Sequence, residues 1–331
     1  MLVIKNLTLT LSKDLRILLE DFSFSLQQGM KVALIGEEGN GKSTLLRAIA
    51  EPEAIQRYVE MTGEIIDSGE ILGYLPQVPS ETILAQTTRA YLSQRMDWRS
   101  VDYGYYYGLL KQMGFLESRI TDDIRLRNLS GGEKIKFQLL CEMLKKPSIL
   151  LLDEPSNDLD MESMAWLESF INGSKIPVMF VSHDEMLLER CANTIIHLEQ
   201  LMRKRRPQYT VAQLPYAEYV QNRHERIIKE SQLAQKEKEE YEAKMERYRQ
   251  IYQRVHHEQQ KVSRQTPGVA KNLKDKMHAV KSMGRRFERE KEQMTKRPDF
   301  EESIVVRFED SITIPQGKVI LDLYLETPKS R

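Results

Sequence analysis

The segment GEEGNGKST, from Gly36 to Thr44, has residue types and spacing that suit the binding of phosphate. It fits the pattern G-x-x-x-x-G-K-[ST] and lies between the strand-like run KVALI and the helix-like run TLLRAIA. Glycines let successive N–H groups curl around a phosphate, Lys42 reaches the terminal phosphates, and the Ser43 hydroxyl suits Mg²⁺. The predicted phosphate contacts are Gly36, Glu37, Glu38, Gly39, Asn40, Gly41, Lys42, Ser43 and Thr44.

Two adjacent acidic residues, Asp153 and Glu154, end the aliphatic run SILLLDEP. Such a run predicts a buried strand, and α/β folds bind ligands at the carboxyl ends of their strands. Next to a phosphate loop, Asp153 is expected to hold a magnesium ion. Glu154 is expected to orient or deprotonate the water that attacks the terminal phosphate. The alternative, a polar stop after a strand, is disfavoured by the phosphate loop.

Two further polar residues follow apolar runs and are weaker candidates. His183 ends VMFVSH, where it is expected to contact the terminal phosphate, and Gln77 ends GYLPQ, where its amide is expected to reach the metal and the attacking water. Taken alone, such a histidine is more often a core or capping residue, and such a glutamine is a turn residue.

A third candidate contact with phosphate lies in LSGGEK, residues 129 to 134. Its glycines occur where a loop turns into the predicted helix GEKIKFQLLCEML. The first N–H groups of a helix attract an anion. The candidate contacts are Ser130, Gly131 and Gly132, and the pattern by itself does not name the anion.

The elements that position these residues alternate between strand and helix. From Met1 to about Arg206, short apolar runs such as KVALIG, SILLLD and VMFVSH are separated by amphipathic segments. This alternation predicts an α/β domain with a mostly parallel central sheet over residues 1–206.

A charged helical segment follows, from about Tyr216 to Lys296, and QTPG at residues 265–268 interrupts it. Apolar residues recur on both sides of the interruption at a spacing typical of a coiled coil, with Gly284 and Lys291 as weak positions. We therefore predict an antiparallel helical hairpin within a linker at 207–300. The predicted stripes are Tyr241, Met245, Tyr248, Tyr252 and Val255 on the first helix, and Leu273, Met277, Val280, Phe287 and Met294 on the second.

Charge is distributed unevenly along this hairpin, although the whole chain has 49 basic and 49 acidic residues. Residues 216–250 contain eight residues of each sign, whereas residues 254–286 contain nine basic and two acidic residues. A rigid element with a basic end suits the phosphate backbone of a nucleic acid. The alternative is a solvated spacer between domains.

The two cysteines, Cys141 and Cys191, lie in apolar helical contexts and lack the spacing of metal ligands. They are expected to be reduced core residues of a cytoplasmic protein. The longest purely aliphatic run, ILLL at 149–152, is too short to cross a membrane.

Taken in order, these segments resemble the ATP-binding cassette (ABC) ATPases, whose fold is that of a P-loop NTPase. The phosphate loop, Gln77, the signature LSGGE, the pair Asp153–Glu154, the D-loop SNDLD and His183 match that family's motifs. The resemblance implies ATP and Mg²⁺ as cofactors, metal contacts from Ser43, Gln77 and Asp153, and a helical subdomain at about 78–145. The family's aromatic contact with adenine has no counterpart in LTLTLSKDLRILL.

The resemblance also implies a partner cassette. In these ATPases the signature of one cassette contacts ATP on the other, so Ser130, Gly131 and Gly132 are expected to contact ATP on a partner. Residues 301–331 are similar to the opening strands of a second, incomplete cassette. The partner is therefore expected to be a second copy of the chain or a missing C-terminal half.

A cassette followed by a charged hairpin and DEPSNDLD, which is close to the pattern DEPTNHLD, resembles the ABC-F proteins. These are soluble tandem cassettes that act on ribosomes. The resemblance implies an ATPase that contacts ribosomal RNA through the basic tip at 254–286, as a translation factor or as an antibiotic-resistance ribosome protector. Two alternatives remain: the ATPase subunit of an ABC membrane transporter, and a cassette protein that grips duplex DNA.

Overall fold

The computed structural model describes residues 1–95, 101–204, 206–261 and 267–293. Within these ranges nine strands are present. The predicted stripe residue Met294, residues 262–266 of the predicted basic tip, and the whole of 301–331 lie outside the described residues. The strands are β1 (Leu2–Leu11), β2 (Ile17–Leu26), β3 (Lys31–Ile35), β4 (Val59–Ile66), β5 (Leu72–Leu75), β6 (Ile149–Asp153), β7 (Val178–Val181), β8 (Thr194–Gln200) and β9 (Arg206–Ala212).

Helices occupy several of the connections between the strands and follow β9. A short 3₁₀ turn at Leu126–Asn128 precedes the helix that starts in the signature. The α-helices are α1 (Lys42–Ala50), α2 (Pro52–Ile55), α3 (Glu81–Leu84), α4 (Thr88–Arg95), α5 (Tyr103–Met113), α6 (Ser118–Thr121), α7 (Gly131–Leu144), α8 (Met161–Gly173), α9 (Glu185–Cys191), α10 (Leu201–Lys204), α11 (Tyr216–Lys261) and α12 (Pro267–Gln293).

The central sheet has six strands in the order β5-β6-β7-β3-β8-β9. All neighbouring pairs are parallel except β8 and β9, which are antiparallel. Strands β3, β6 and β7 are buried along their whole length, as their continuous apolar sequences require in a sheet covered on both faces. The predicted α/β domain with a mostly parallel sheet is confirmed.

A second, antiparallel sheet in the order β2-β1-β4 covers one face of the central sheet. One apolar core lies between the two sheets and includes α1, with Leu34, Leu45 and Leu151 fully buried. A second core lies on the other face, where α5, α7, α8 and α9 pack, and includes Phe137 and Phe180. The carboxyl ends of β3, β6 and β7 are therefore held firmly from both sides.

The central sheet continues beyond the predicted domain boundary at Arg206. Strand β9 pairs with β8 from Pro207 opposite Gln200 to Ala212 opposite Ile195. The sequence RPQYTVA alternates only weakly and begins next to a basic run, so its pairing was not evident from its pattern. The structure places residues 206–212 in the cassette sheet and not in the linker.

The predicted antiparallel hairpin is confirmed by the contacts between α11 and α12. Tyr248 packs edge-on against Phe287, with ring centroids 6.0 Å apart, and Gln259 donates a hydrogen bond to the Leu273 carbonyl at 3.0 Å. The residue number on one helix rises as that on the other falls, so the helices are antiparallel. Among the stripe residues, Val255, Leu273, Met277 and Val280 are buried, while Tyr241, Met245, Tyr248, Tyr252 and Phe287 are half-buried.

Gly284 was expected to be a weak position of the stripe, and the structure shows why a small residue lies there. A Cβ atom on Gly284 would lie 2.6 Å from Tyr248 Oη and 2.9 Å from Tyr248 Cζ. The missing side chain makes room for the tyrosine ring of the opposite helix. Gly284 is therefore part of the packing between the helices.

Candidate nucleotide-binding site

The carboxyl ends of the central strands and the start of α1 enclose a cleft of about 460 Å³. The structure brings to this cleft three candidates that are distant in sequence, Gln77, Glu154 and His183. They lie opposite the phosphate loop. The lining residues are Glu38, Gly39, Gly41, Lys42, Ser43, Thr44, Gln77, Glu154, Asn157 and His183.

The phosphate loop owes its shape to glycines at two places. Gly41 has φ 94° and immediately precedes α1, a left-handed conformation that favours glycine. At Gly36 a Cβ atom would lie 2.1 Å from the Leu198 carbonyl oxygen on β8, so any side chain would collide with the sheet. The loop can therefore sit directly on β8 while the first N–H groups of α1 face the cleft.

Polar side chains complete the support of this loop. Asn40 is buried and donates a hydrogen bond from Nδ2 to the Leu198 carbonyl at 2.9 Å. Lys42 is also buried, and its Nζ donates to the carbonyls of Gly36 at 2.7 Å and Glu37 at 3.0 Å. The Lys42 ammonium group is thus held inside the loop, at the place where the charge of a terminal phosphate would be countered.

Two cations that the sequence analysis did not select also hold the loop. Arg16 donates from Nη2 to the Gly39 carbonyl at 3.3 Å, and Lys204 donates from Nζ to the Glu38 carbonyl at 3.1 Å. Arg16 lies in the turn between β1 and β2, and Lys204 ends α10. No motif marks either residue, because each reaches the loop only through the packing of distant elements.

Ser43 and Asp153 form a pair that fits a hard divalent cation. The Ser43 hydroxyl donates a hydrogen bond to Asp153 Oδ1 at 2.8 Å. Among the described residues, Asp153 Oδ2 is buried and has no hydrogen-bond partner. Burial raises the pKa of Asp153 above its ordinary value, although the Ser43 hydroxyl and the nearby Arg47 and Lys42 oppose this. An oxygen-rich, desolvated site of this kind suits Mg²⁺.

Glu154 is held in a conformation that non-glycine residues rarely adopt, with φ 50°. Its N–H donates to the Val181 carbonyl at 3.1 Å, which ties the turn to β7. Its side chain is only 5% exposed, and burial raises its pKa above the usual value even though His183 and Lys42 lower it. A strained, buried carboxyl group with a raised pKa is typical of a catalytic position.

His183 and Gln77 approach Glu154 from neighbouring strands. His183 Nε2 lies 3.3 Å from Glu154 Oε1, and the histidine side chain is 52% exposed toward the cleft. Gln77 follows β5 and is exposed in the same cleft. Asn157, which was not predicted, lines it as well, and its N–H donates to the Glu154 carbonyl at 3.3 Å. Its only sequence signal is its place in SNDLD, three residues after Glu154.

The signature residues do not line this cleft. Ser130 caps α7, accepting a hydrogen bond from the Glu133 N–H at 3.2 Å, and Glu133 Oε2 accepts from the Ser130 N–H at 3.0 Å. The glycines have a packing role as well. A Cβ atom would lie 2.3 Å from the Asp158 carbonyl oxygen at Gly131, and 2.1 Å from Ser163 Oγ at Gly132. The D-loop and the signature helix therefore pack directly against each other.

A second cavity, of about 430 Å³, lies on the other side of the phosphate loop. It is lined by Gly36 and Glu37 of the loop, by His183, and by Tyr216 at the start of α11. Of the predicted site residues, Asn40 and Asp153 lie beneath the loop and do not line either cavity. The hairpin thus begins close to the phosphate loop.

The remaining expectations concern the cysteines and the membrane. Cys141 and Cys191 are buried and form no disulfide, and burial raises the pKa of both thiols. No helix within the described residues is long and apolar enough to span a bilayer.

Part of the chain is similar to a known family and to several known proteins. The family model described as ABC transporter matches residues 19–157. The ribosome protection protein VmlR of Bacillus subtilis is 32% identical over 179 residues, which is 54% of this chain and 31% of VmlR. The energy-dependent translational throttle protein EttA of Escherichia coli K12 is 32% identical over 221 residues, which is 56% of this chain and 39% of EttA.

Two other comparisons cover similar regions. Elongation factor 3 of Pneumocystis carinii is 32% identical over 209 residues, which is 60% of this chain and 18% of that protein. A solved structure of the ATP binding subunit of an ABC transporter aligns with a TM-score of 0.48 and 24% identity, covering 59% of this chain and 85% of that one. The chain spans less than two fifths of the length of the curated relatives named here. Residues 19–157 therefore match the ABC transporter family model, and the chain is similar to these ribosome protection and translation proteins over 54–60% of its length.

Proposed function

We propose that this chain binds and hydrolyses ATP as one of two paired cassettes, and that it uses the helical hairpin to act on the ribosome. The observation that carries the ATPase part is the single cleft in which the phosphate loop faces Glu154, His183 and Gln77. The proposal for the ribosome is supported by the curated relatives, which are named as a ribosome protection protein, a translational throttle protein and an elongation factor.

Different groups in the site bind the phosphates of ATP and the metal ion. The backbone N–H groups of Gly36–Thr44 and the Lys42 ammonium group bind the phosphates. Ser43 and Asp153 would hold Mg²⁺, together with Gln77 from the edge strand. When bound, the metal supplies positive charge that counters the phosphate oxygens. Lys42 makes its two hydrogen bonds inside the loop before any ligand arrives, so little reorganisation is needed on binding.

Hydrolysis depends on the two oxygens of the Glu154 carboxylate. Oε1 is the atom near His183, at 3.3 Å. Within the described part of the chain, Oε2 is buried and lacks a hydrogen-bond partner. Because Glu154 lines the cleft, its carboxylate is the group assigned to orient the attacking water and take its proton. His183 keeps the carboxylate in this rotamer and, from its exposed position, contacts the terminal phosphate.

The second cassette completes the site. Ser130, Gly131 and Gly132 do not line the cleft of their own cassette, which supports a role toward ATP on a partner. The partner is a second cassette, and residues 301–331 are proposed to resemble the opening strands of one. A single cassette is expected to bind ATP but to hydrolyse it slowly.

The hairpin supplies the proposed contact with ribosomal RNA in the cytoplasm. In the second helix, Lys271, Lys274 and Lys281 are all exposed, while the apolar stripe faces α11. Contacts with RNA phosphates need clustered positive charge more than a particular sequence. The relatives include both a ribosome protection protein and translation factors. Growth of a host strain with and without ribosome-targeting antibiotics distinguishes these two roles.

A sucrose gradient with purified ribosomes tests the proposal. Glu154→Gln should retain ATP but hydrolyse it slowly, so it is expected to migrate with ribosomes in Mg-ATP and to remain at the top in Mg-ADP. The double variant Lys42→Ala/Glu154→Gln is the control and should remain at the top in both. Equal migration of Glu154→Gln in ATP and ADP would contradict the nucleotide dependence. No migration in either nucleotide would contradict the ribosome as the target, and would favour the alternative of a transporter ATPase.

A further inference from the structure

The phosphate loop rests on the backbone of one strand, β8. Its Asn40 donates a hydrogen bond to the Leu198 carbonyl at 2.9 Å, and a Cβ atom at Gly36 would lie 2.1 Å from the same oxygen. Strand β8 also pairs in parallel with β3, with Ile35 opposite His197. A shift of the β8 backbone at Leu198 therefore displaces the loop.

The two residues that flank Leu198 hold the first helix of the hairpin. His197 Nδ1 lies 2.8 Å from Tyr219 Oη, and Glu199 Oε1 accepts a hydrogen bond from Arg223 Nη2 at 2.7 Å. None of these four residues is more than 6% exposed. Side chains alternate along a strand, so His197 and Glu199 project to one face, and α11 packs there.

The spacing of the two contacts fixes the direction of α11. Tyr219 and Arg223 are four residues apart on a helix, a rise of about 6 Å. His197 and Glu199 are two residues apart on a strand, a rise of about 6.6 Å. The two distances match, so both contacts form together only when α11 runs alongside β8 in the same direction.

The ion pair between Arg223 and Glu199 is strongly desolvated. Removing one partner of such a pair leaves an uncompensated charge in the interior, which is far less favourable than losing an exposed pair. The neighbouring histidine contributes a neutral contact, because burial, Arg223 and Lys42 lower the pKa of His197 well below its ordinary value.

We propose that Tyr219 and Arg223 are positioning residues for the nucleotide site. They hold the segment His197–Glu199 from the hairpin side, and Leu198 at its centre holds the phosphate loop. The orientation of the hairpin and the conformation of the loop are therefore coupled. The inference rests on the proposed function only in that ATP binds at Gly36–Thr44. Coupling between two binding equilibria is reciprocal. If nucleotide binding changes the affinity for a target that bends the hairpin, binding of that target changes the affinity for nucleotide by the same factor.

The first measurement is the affinity of the full chain for a fluorescent ATP analogue with Mg²⁺. Arg223→Met, which keeps length but removes the charge, is expected to weaken binding by between about 5- and 150-fold, the usual range for coupled sites. The matched control is Lys229→Met on the same helix. Lys229 is 76% exposed and pairs only with Glu225 among the described residues, so this variant should bind like the wild type.

Hydrogen exchange separates positioning from general destabilisation. Without nucleotide, Arg223→Met should speed amide exchange in the phosphate loop and in residues 194–200, and leave β1 unchanged. A merely structural role would speed exchange in all of these segments. In the wild type, Mg-ATP should slow exchange at the start of α11, and in Arg223→Met this slowing should be lost.

A milder variant keeps the test valid if Arg223→Met does not fold. Tyr219→Phe keeps the ring and removes only the hydroxyl that contacts His197, and it should speed exchange in the phosphate loop to a smaller extent. A folded Arg223→Met with unchanged affinity and unchanged loop exchange overturns the inference. An unchanged loop in Tyr219→Phe overturns it in the same way. If the wild type itself does not bind the ATP analogue, the proposed function fails as well, so the two failures are distinct.

Discussion

Two acidic residues, Asp153 and Glu154, lie in a strongly desolvated position at the end of β6, next to the candidate nucleotide cleft. Both are at most 5% exposed, and burial raises the pKa of each. Two adjacent carboxyl groups of this kind destabilise the fold when both are ionised. Such an arrangement is expected where a metal and an attacking water must be bound, because the binding free energy of the ligands offsets the desolvation.

Replacing Glu154 with Gln tests whether this carboxyl group is needed for hydrolysis and destabilises the fold. The variant should bind ATP normally but turn it over about 10²- to 10⁴-fold more slowly, because an amide cannot accept the proton from water. It should also melt at a higher temperature than the wild type at pH 8, since it removes a buried charge. Steady-state ATPase assays and thermal melts measure the two effects. Normal turnover would remove Glu154 from the mechanism.

The raised pKa of Glu154 also predicts a pH dependence. The folded-state pKa lies above the unfolded value, so the destabilisation from the ionised form is present at neutral pH and disappears as the pH falls and Glu154 becomes protonated. The melting-temperature gain of Glu154→Gln should therefore shrink toward acidic pH. Turnover by the wild type should be lost at a higher pH than an ordinary glutamate would give. A melting-temperature gain of Glu154→Gln that does not change between pH 8 and pH 4 would contradict the raised pKa of Glu154.

Lys42 is expected to contribute binding free energy directly. Lys42→Ala should weaken ATP binding by roughly ten- to a hundredfold, the effect of losing a hydrogen bond that involves a charged group. Lys204→Ala is the matched control, because Lys204 contacts only the outer side of the loop at the Glu38 carbonyl and should change affinity much less. Titration with a fluorescent analogue compares them. Equal affinities for Lys42→Ala and the wild type would remove the phosphate-loop assignment.

At the scale of elements, close packing between neighbouring elements explains why glycine is needed at positions where the motifs alone do not give the reason. The signature glycines Gly131 and Gly132 were selected for their bare N–H groups, and the structure adds that each lies against the D-loop or the start of α8. The signature helix α7 is also joined to the edge strand, because Glu142 Oε2 accepts a hydrogen bond from the Tyr74 N–H at 3.1 Å. A displacement of either element is therefore transmitted to the other.

Gly284 in the hairpin allows a clean test of such packing. Gly284→Ala should destabilise the wild type by about 1–2 kcal/mol, because overpacking against Tyr248 exceeds the gain of about 1 kcal/mol in helix propensity. In a Tyr248→Leu background the clash is absent, so the same change should stabilise by about 1 kcal/mol. Denaturant unfolding of the four proteins completes the cycle. The same effect in both backgrounds would show that the two residues are not coupled.

At the scale of the whole molecule, the excess positive charge of the hairpin is concentrated far from the cassette. Near the cassette, α11 has balanced charge and exposed ion pairs such as Lys229–Glu225 and Lys238–Glu242. The excess of basic residues lies at the tip and in α12, because residues 254–286 contain nine basic and two acidic residues. An electrostatic contact made there acts at the end of a helix of 46 residues, so a small rotation at β8 becomes a large movement at the tip.

Reversing this charge should abolish association with RNA. Lys271, Lys274 and Lys281, all exposed, are changed together to Glu, which is expected to remove ribosome binding while leaving ATP affinity unchanged. In the wild type the same binding should weaken steeply as salt is raised. The matched control reverses three lysines nearer the cassette, Lys229, Lys236 and Lys238. If both triple variants bind alike, the hairpin is a spacer and not a contact surface.

The sequence by itself determined the class of fold and most of the candidate site. The phosphate loop, the end of β6 and His183 each follow an apolar strand, and parallel strands bring their carboxyl ends to one edge of a sheet. The hairpin followed from its heptad-like stripe, because knobs from facing helices must meet at that spacing. These features depend on local periodicity and local chemistry, which can be read from one stretch of chain at a time.

Only the tertiary structure decided which distant elements support that site. Arg16, Lys204 and Asn157 reach the phosphate loop or its cleft from separate elements. No local pattern marks Arg16 or Lys204, and Asn157 is marked only by its place in SNDLD. Residues 207–212 of β9 lie within the predicted linker, and only pairing with β8 places them in the sheet. The contacts of His197 and Glu199 with α11 could not be predicted from the sequence either, because they depend on how a helix lies on a strand. That geometry is set by packing across the whole domain.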